Sequence, residues 1–231
     1  MSTPVAAAGF CKLCGTEMSK AAAARHLRTC APAYFAQHPS GDISHTVFLL
    51  SVADRHIPDY WLYIAISTDA TLKRLDRFLR EIWLECCGHL SQFLIGGVIY
   101  LSHPEASFWG DERSMNRPFH QVLKEGMSFT HQYDMGDTTE LTLKVLSSFE
   151  AEVPSKSVFL LARNRPPDIR CDICGQPAKY VCSQCAWEGL GWLCEHCAQQ
   201  HECGEEMLLP VVNSPRVGVC GYTGSTKWGD E

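Results

Sequence analysis

The stretch TVFLLSVADRHIPDYWLYIAISTDATLKRLDRFLREIWLEC, residues 46–86, decides the fold class. Residues 46–52 form a β-rich run, and after a break at Pro58 a second such run covers residues 61–66. Ser67, Thr68 and Asp69 can then cap a helix on which Leu72, Leu75, Leu79, Ile82 and Cys86 recur at steps of three and four, the spacing of one core-facing stripe. Lys73, Arg74, Arg77 and Arg80 fall mainly on the opposite side among Asp76, Glu81 and Glu85, which reads as a solvated, ion-paired face. Downstream, residues 92–101 read as one strand interrupted by Gly96 and Gly97, and residues 102–126 carry the Pro, Gly and Asn content of an irregular insertion. Alternating runs at 127–133 and 138–145 flank the turn Asp134-Met135-Gly136-Asp137, a hairpin with Phe129, His131 and Tyr133 on one face. With a last strand near residues 157–162, this order predicts an α+β fold over residues 46–165: a mixed or antiparallel sheet with one main helix.

Both ends of the chain read differently, because ten of its 13 cysteines crowd into two short windows. The repeated two-residue gap suits a tetrahedral zinc ion, since a C-x-x-C turn aims two thiolates at one ion about 2.3 Å away. Near the start, Cys11, Cys14, His26 and Cys30 stand in the frame C-x2-C-x11-H-x3-C, with His26 and Cys30 one turn apart on an alanine-rich helix over residues 19–29. This predicts a zinc finger over residues 9–31 that is too small to bury a core, so that metal supplies most of its folding free energy. It resembles the CCHC members of the classical finger group. Its helix exposes mainly Ala21, Ala22, Ala23 and Ala24, leaving Lys20, Arg25 and Arg28 for phosphate contact and little for base reading. A linker rich in Pro, Gly and Ser follows at residues 32–45.

Residues 168–206 hold eight further ligands, Cys171, Cys174, Cys182, Cys185, Cys194, Cys197, His201 and Cys203, which fill two four-ligand sites without remainder. The series resembles the B-box class of double-zinc modules, in which alternate ligand pairs share an ion. That resemblance implies one zinc on Cys171, Cys174, Cys194 and Cys197 and another on Cys182, Cys185, His201 and Cys203, while sequential pairing stays open because the terminal H-x-C is tighter than the usual ending. Three zinc ions per chain are thus expected. The apolar tail, residues 207–231, is expected to dock.

The central residues 46–150 also resemble a known family, the Ri-plasmid ORF-three-like proteins, also described as insertion-element passenger proteins. Trp61, Thr71-Leu72, Gly88-His89-Leu90-Ser91-Gln92-Phe93 and Tyr133-Asp134-Met135-Gly136-Asp137 carry the resemblance, whereas Thr139 and Leu141 stand where the family has tryptophan and histidine. The resemblance implies an α+β fold and brings no settled activity.

Charge narrows the function. The net charge is −6, and only residues 1–45 are basic, with four Lys and Arg against two Asp and Glu, which argues against a main affinity for phosphate backbones. No apolar run reaches the roughly 18 residues of a membrane span, and the N-terminus lacks the basic start of a secretory signal, so a cytoplasmic location is expected. His131, Asp134, Asp137 and Glu140 lie close in sequence and would be the ligands of a metal-dependent hydrolase, yet acidic residues around a hairpin turn are ordinary solvated turn formers. Cys86 and Cys87 beside His89 suggest a nucleophile, but the apolar stripe assigns Cys86 to a buried thiol. The sequence therefore predicts a non-catalytic zinc-binding adaptor with a protein partner. Weak nucleic-acid contact through the finger, in a mobile-element or ribosome setting, is the alternative.

Overall fold

The computed structural model describes residues 8–106 and 110–228. Residues 1–7, on which most of the signal-peptide reading falls, lie outside the described residues, as do 107–109 of the insertion and 229–231 of the tail. The chain divides into two compact units, Met1–Phe78 with Leu90–Arg165, and Leu79–His89 with Pro166–Glu231.

The first unit is α+β. Its sheet contains β1 (Ala8–Cys11), β2 (Glu17–Ser19), β3 (Ser44–Asp54), β4 (Trp61–Ser67), β5 (Ser91–Ile95), β6 (Val98–Leu101), β7 (Arg113–Ser114), β8 (Ser128–Tyr133), β9 (Thr139–Glu152) and β10 (Val158–Asn164). The strand order is β2-β1-β10-β4-β3-β9-β8-β5-β6-β7, antiparallel except for the short parallel pair β6 and β7, so the sheet is mixed. The apolar run at β4 is buried along its whole length: Trp61, Tyr63 and Ala65 join one core cluster, and Leu62, Ile64 and Ile66 are buried on the alternate face. Where the sequence suggests one interrupted strand at 92–101, Gly96 and Gly97 take φ of +55° and +81° and turn a hairpin between β5 and β6.

Helix α1 (Lys20–Gln37) changes the reading of the N-terminal finger. Ser19 caps it, its hydroxyl accepting from the Ala22 N–H at 3.4 Å. Ala23, Leu27, Ala31 and Phe35, four residues apart, are buried in one cluster with Val47, Leu49, Trp61 and Leu161. The knuckle strand β1 pairs with β10, Cys11 opposite Ala162, and Gly9 lies so close to the Arg163 carbonyl that an added Cβ would sit 2.2 Å from it. The finger at 9–31 is therefore part of the sheet's own core and not a free-standing module. Ala23, expected on the exposed face, is fully buried. The expected linker at 32–45 is helical as far as Gln37, since Pro32 removes one hydrogen bond but the flanking Ala31 and Phe35 stay anchored in the core.

Helix α2 (Leu72–Leu79) is the predicted amphipathic helix, and it continues into a π-helical turn at Arg80–Leu84. In the second unit β11 (Tyr180–Cys182) is flanked by β12 (Trp192–Leu193) and β13 (Leu208–Pro210). The tail packs within this same unit. Ser214 and Arg216 are buried, the Ser214 hydroxyl donates to the Trp83 carbonyl at 2.6 Å, and Ser225 and Lys227 both bond Glu81. Residues 79–89, assigned by sequence to the central domain at 46–165, therefore group with the C-terminal residues.

Leu27→Ala, with its metal site intact, should lower the stability of the first unit by about 2–5 kcal/mol, the cost of a large-to-small change in a packed core. Amide exchange in β4 and β10 measures it. Unchanged protection there would mean that the finger folds apart from the sheet.

Candidate metal centres

Among the described residues, four groups of Cys and His side chains could hold a metal ion, each with four ligand atoms within 4.8 Å of one another. All 13 cysteines are free of disulfides. Three of the groups consist of the ligands read from the spacing.

The first group is Cys11, Cys14, His26 and Cys30. Cys11 ends β1, and the chain turns through a knuckle closed by the Gly15 N–H donating to the Cys11 carbonyl at 2.8 Å, with Gly15 at φ +73°. Helix α1 supplies His26 and Cys30 one turn apart. The Cys11 and Cys30 sulfurs are 4.0 Å apart, and Cys14 Sγ is 3.3 Å from His26 Nε2. Hydrogen bonding from Thr16 holds the Cys14 thiol down to about 6, whereas burial pushes Cys30 up to about 12 and raises Cys11 as well.

In the second unit the ligands alternate between two groups, Cys171, Cys174, Cys194 and Cys197 forming one and Cys182, Cys185, His201 and Cys203 the other. The first repeats the knuckle of the finger, the Gly175 N–H donating to the Cys171 carbonyl at 2.9 Å with Gly175 at φ +72°. Cys174 Sγ lies 3.5 Å from Cys194 Sγ and 3.7 Å from Cys197 Sγ. Burial works against the Cys171 thiolate, but backbone N–H groups led by that of Cys194 bring it down to about 6, while burial and its neighbours push Cys197 up to about 12. In the other group Cys185 Sγ is 3.6 Å from His201 Nε2 and 3.7 Å from Cys203 Sγ. The neighbouring Cys182 and Cys203 sulfurs drive Cys185 up to about 12. Gly191 passes close behind this group, where a Cβ would stand 2.9 Å from that of Cys185. His196, between two ligands, is exposed and joins neither group.

The fourth group, Cys86, Cys87, His89 and Cys220, was missed by spacing because Cys220 lies 131 residues beyond His89. Cys86 is half-buried and Cys87 exposed, which corrects the buried-thiol reading. The helical stripe that placed Cys86 inside ends before it, as the π turn closes with the Glu85 N–H bonded to the Arg80 carbonyl at 2.9 Å.

The hairpin residues do not assemble into a comparable centre. His131 is wholly buried, its Nε2 2.8 Å from Asp76 Oδ1, and Asp76 also accepts from Ser91 at 2.6 Å. Asp134, at φ +67°, accepts from the Gly136 N–H at 3.0 Å within its own turn, and Glu140 pairs with Arg55. An imidazole sealed from solvent against α2 cannot activate water beside these carboxylates.

No family model matches the chain, nor does any curated protein. A crystal structure of a protein of unknown function from Methanosarcina mazei Go1 is similar over 52% of this chain and 69% of that one, at 13% identity and a TM-score of 0.44.

The thiol shifts set a pH dependence for the finger. At pH 7 to 8 Cys14 is already ionised, whereas Cys11 and Cys30 still hold their protons because their pKa values are raised. Metal entry then expels about two protons from these thiols, so affinity should climb about a hundredfold per pH unit in that window. Competition with a chelator, followed through the His26 ring resonances, measures the slope. A pH-independent affinity would exclude thiolate ligation here.

Proposed function

We propose that the protein is a zinc-binding adaptor whose activity is to hold another protein, with zinc at the finger and at both alternating groups of the C-terminal unit. The observation that carries this reading is that each of the three groups already presents four protein ligands. A tetrahedral ion with a thiolate bond of about 2.3 Å has ligand atoms about 3.8 Å apart, and the sulfur separations of 3.5 to 4.0 Å match that edge. A site filled in this way leaves no position for a water or substrate, and thiolate donors, joined by an imidazole in two of the three groups, favour zinc among the common divalent ions. The C-terminal unit meanwhile exposes Ile173, Trp187 and Leu190, with Trp187 at 76% of its full area. Exposed tryptophan and leucine suit a protein partner better than a phosphate backbone.

The nucleic-acid alternative through the finger is weakened by Lys20, whose amine is desolvated and its pKa lowered, leaving Arg25 and Arg28 as the exposed cations of the three first considered. A cytoplasmic setting goes with the adaptor reading, because a reducing compartment keeps thiols available to metal. No helix among the described residues is long and apolar enough to cross a membrane. The resemblance to the insertion-element passenger family adds a fold and no chemistry to this proposal.

Two measurements test it. Cys182→Ser should lose one zinc ion by native mass spectrometry and abolish amide protection in β11 to β13 while the ten-stranded sheet keeps its own. Trp187→Ala combined with Leu190→Ala should retain zinc and cut the yield of co-purifying protein by about tenfold or more, corresponding to roughly 1.4 kcal/mol. Capture that disappears on nuclease treatment, and is indifferent to these two substitutions, would transfer the function to the nucleic-acid reading.

A further inference from the structure

We propose that Cys86, Cys87, His89 and Cys220 hold a fourth zinc ion that fastens the C-terminal tail to the loop after the π-helical turn. The four ligand atoms close on one point. Cys86 and Cys87 Sγ are 3.5 Å apart, Cys87 Sγ is 3.7 Å from Cys220 Sγ, and His89 Nε2 is 3.0 Å from Cys87 Sγ and 3.2 Å from Cys220 Sγ. The sulfur separations fall within the range of the other groups and just inside the tetrahedral edge of about 3.8 Å, while the sulfur–nitrogen distances are a few tenths of an ångström inside the mixed-donor edge of about 3.5 Å. A disulfide between the adjacent cysteines would need sulfurs about 2.05 Å apart, so the pair is arranged for a shared ion.

The loop that carries three of the ligands is braced by hydrogen bonds of its own. Arg80 donates to Glu85 Oε2 at 2.7 Å and to the His89 carbonyl at 2.6 Å, and the other Glu85 oxygen accepts from the Gly88 N–H at 2.6 Å. Gly88 takes φ +78°, which lets the chain reverse between Cys87 and His89. On the tail, Cys220 adopts φ +48°, a left-handed conformation that a non-glycine residue adopts at a cost and that sets its sulfur beside the loop.

Charge supplies a second, independent indication. Three thiolates and a neutral imidazole around a dication leave one net negative charge. Arg216, fully buried, sets its Nη2 3.6 Å from Cys86 Sγ. A guanidinium N–H directed at a sulfur favours its anionic, metal-bound form, because a donor hydrogen bond to the charged form stabilises it. With Cys87 and Cys220 both exposed, this is the least buried of the four groups, so its ion should exchange first with an added chelator.

The test counts metal in the full chain. Native mass spectrometry of the wild-type protein should give four zinc ions, Cys220→Ser and His89→Ala three each, and His89→Cys four, because a fourth thiolate restores the donor set. Should the Cys220 variant fail to fold, the wild-type chain loaded with cadmium-113 still decides the matter, four resonances being expected and three overturning the site. A wild-type count of three, or a count unchanged in Cys220→Ser, would likewise overturn it.

Discussion

Thiolates brought within hydrogen-bonding distance repel one another, and this repulsion governs both ends of the chain. Two unit charges about 4 Å apart near a protein surface repel by about 4 kcal/mol, so a second and third thiolate in one group cost far more than the first. The split thiol values combine burial and hydrogen bonding with this repulsion: Thr16 holds Cys14 to about 6, while burial and then the neighbouring sulfurs drive Cys30 to about 12. Cys171, held down by backbone N–H groups, and Cys197, pushed up by burial and its neighbours, divide in the same way. Backbone N–H groups of the knuckles stabilise one thiolate each, and only a dication can neutralise the rest. Chain geometry that gathers the sulfurs would thus be stable in full only with a bound dication, which in turn would need that geometry.

The two units depend on this bargain to different degrees. The sheet of the first unit has Leu27, Val47, Leu49, Trp61 and Leu161 packed in one cluster, a core independent of any ligand even though Cys11 and the finger helix join it. The corresponding small cluster in the second unit consists of Cys171, Leu193, Cys194, Cys197 and Ala198, of which three are ligands. There a bound metal would take the place of the apolar core that so short a segment cannot assemble. Loss of metal should therefore loosen the finger knuckle locally but dismantle β11 to β13.

Legibility in the sequence followed the range of the interaction. The β-rich run at residues 46–52 and the alternation at 138–145 located β3 and β9, and two-residue cysteine gaps located three of the four groups, because each pattern is local. The pairing of alternate knuckles depends on how the chain folds back at Gly189 and Gly191, both at positive φ, and spacing alone leaves it open. The fourth group failed for the same reason on a larger scale: no local pattern links His89 to Cys220. A single π turn at Arg80–Leu84 also shifted the helical register that seemed to bury Cys86. The alanine run of α1 misled differently, since alanine leaves few clues to which face is inward. The Ala23, Leu27, Ala31, Phe35 stripe gains meaning only beside the sheet it covers.

If the protein is the adaptor proposed above, the positions of the exposed apolar residues would connect metal to recognition. Ile173 lies between the ligands Cys171 and Cys174, and Trp187 lies on the short turn Cys185–Glu188 that opens with a ligand and closes at Gly189. With metal bound in these groups, their backbone would be held by the ion's geometry more than by a core of their own. A side chain presented from a backbone that is already ordered loses less freedom on binding, by about 0.5–1.5 kcal/mol for each group that need not be immobilised. Held in this way, a tryptophan exposed at 76% has low ordering cost and a large apolar area to bury. The same geometry makes the surface conditional: with the metal gone, the knuckles relax and the residues that would meet a partner lose their fixed positions while remaining just as apolar. Closed metal sites can therefore serve binding without performing chemistry, by controlling how much entropy recognition has to overcome.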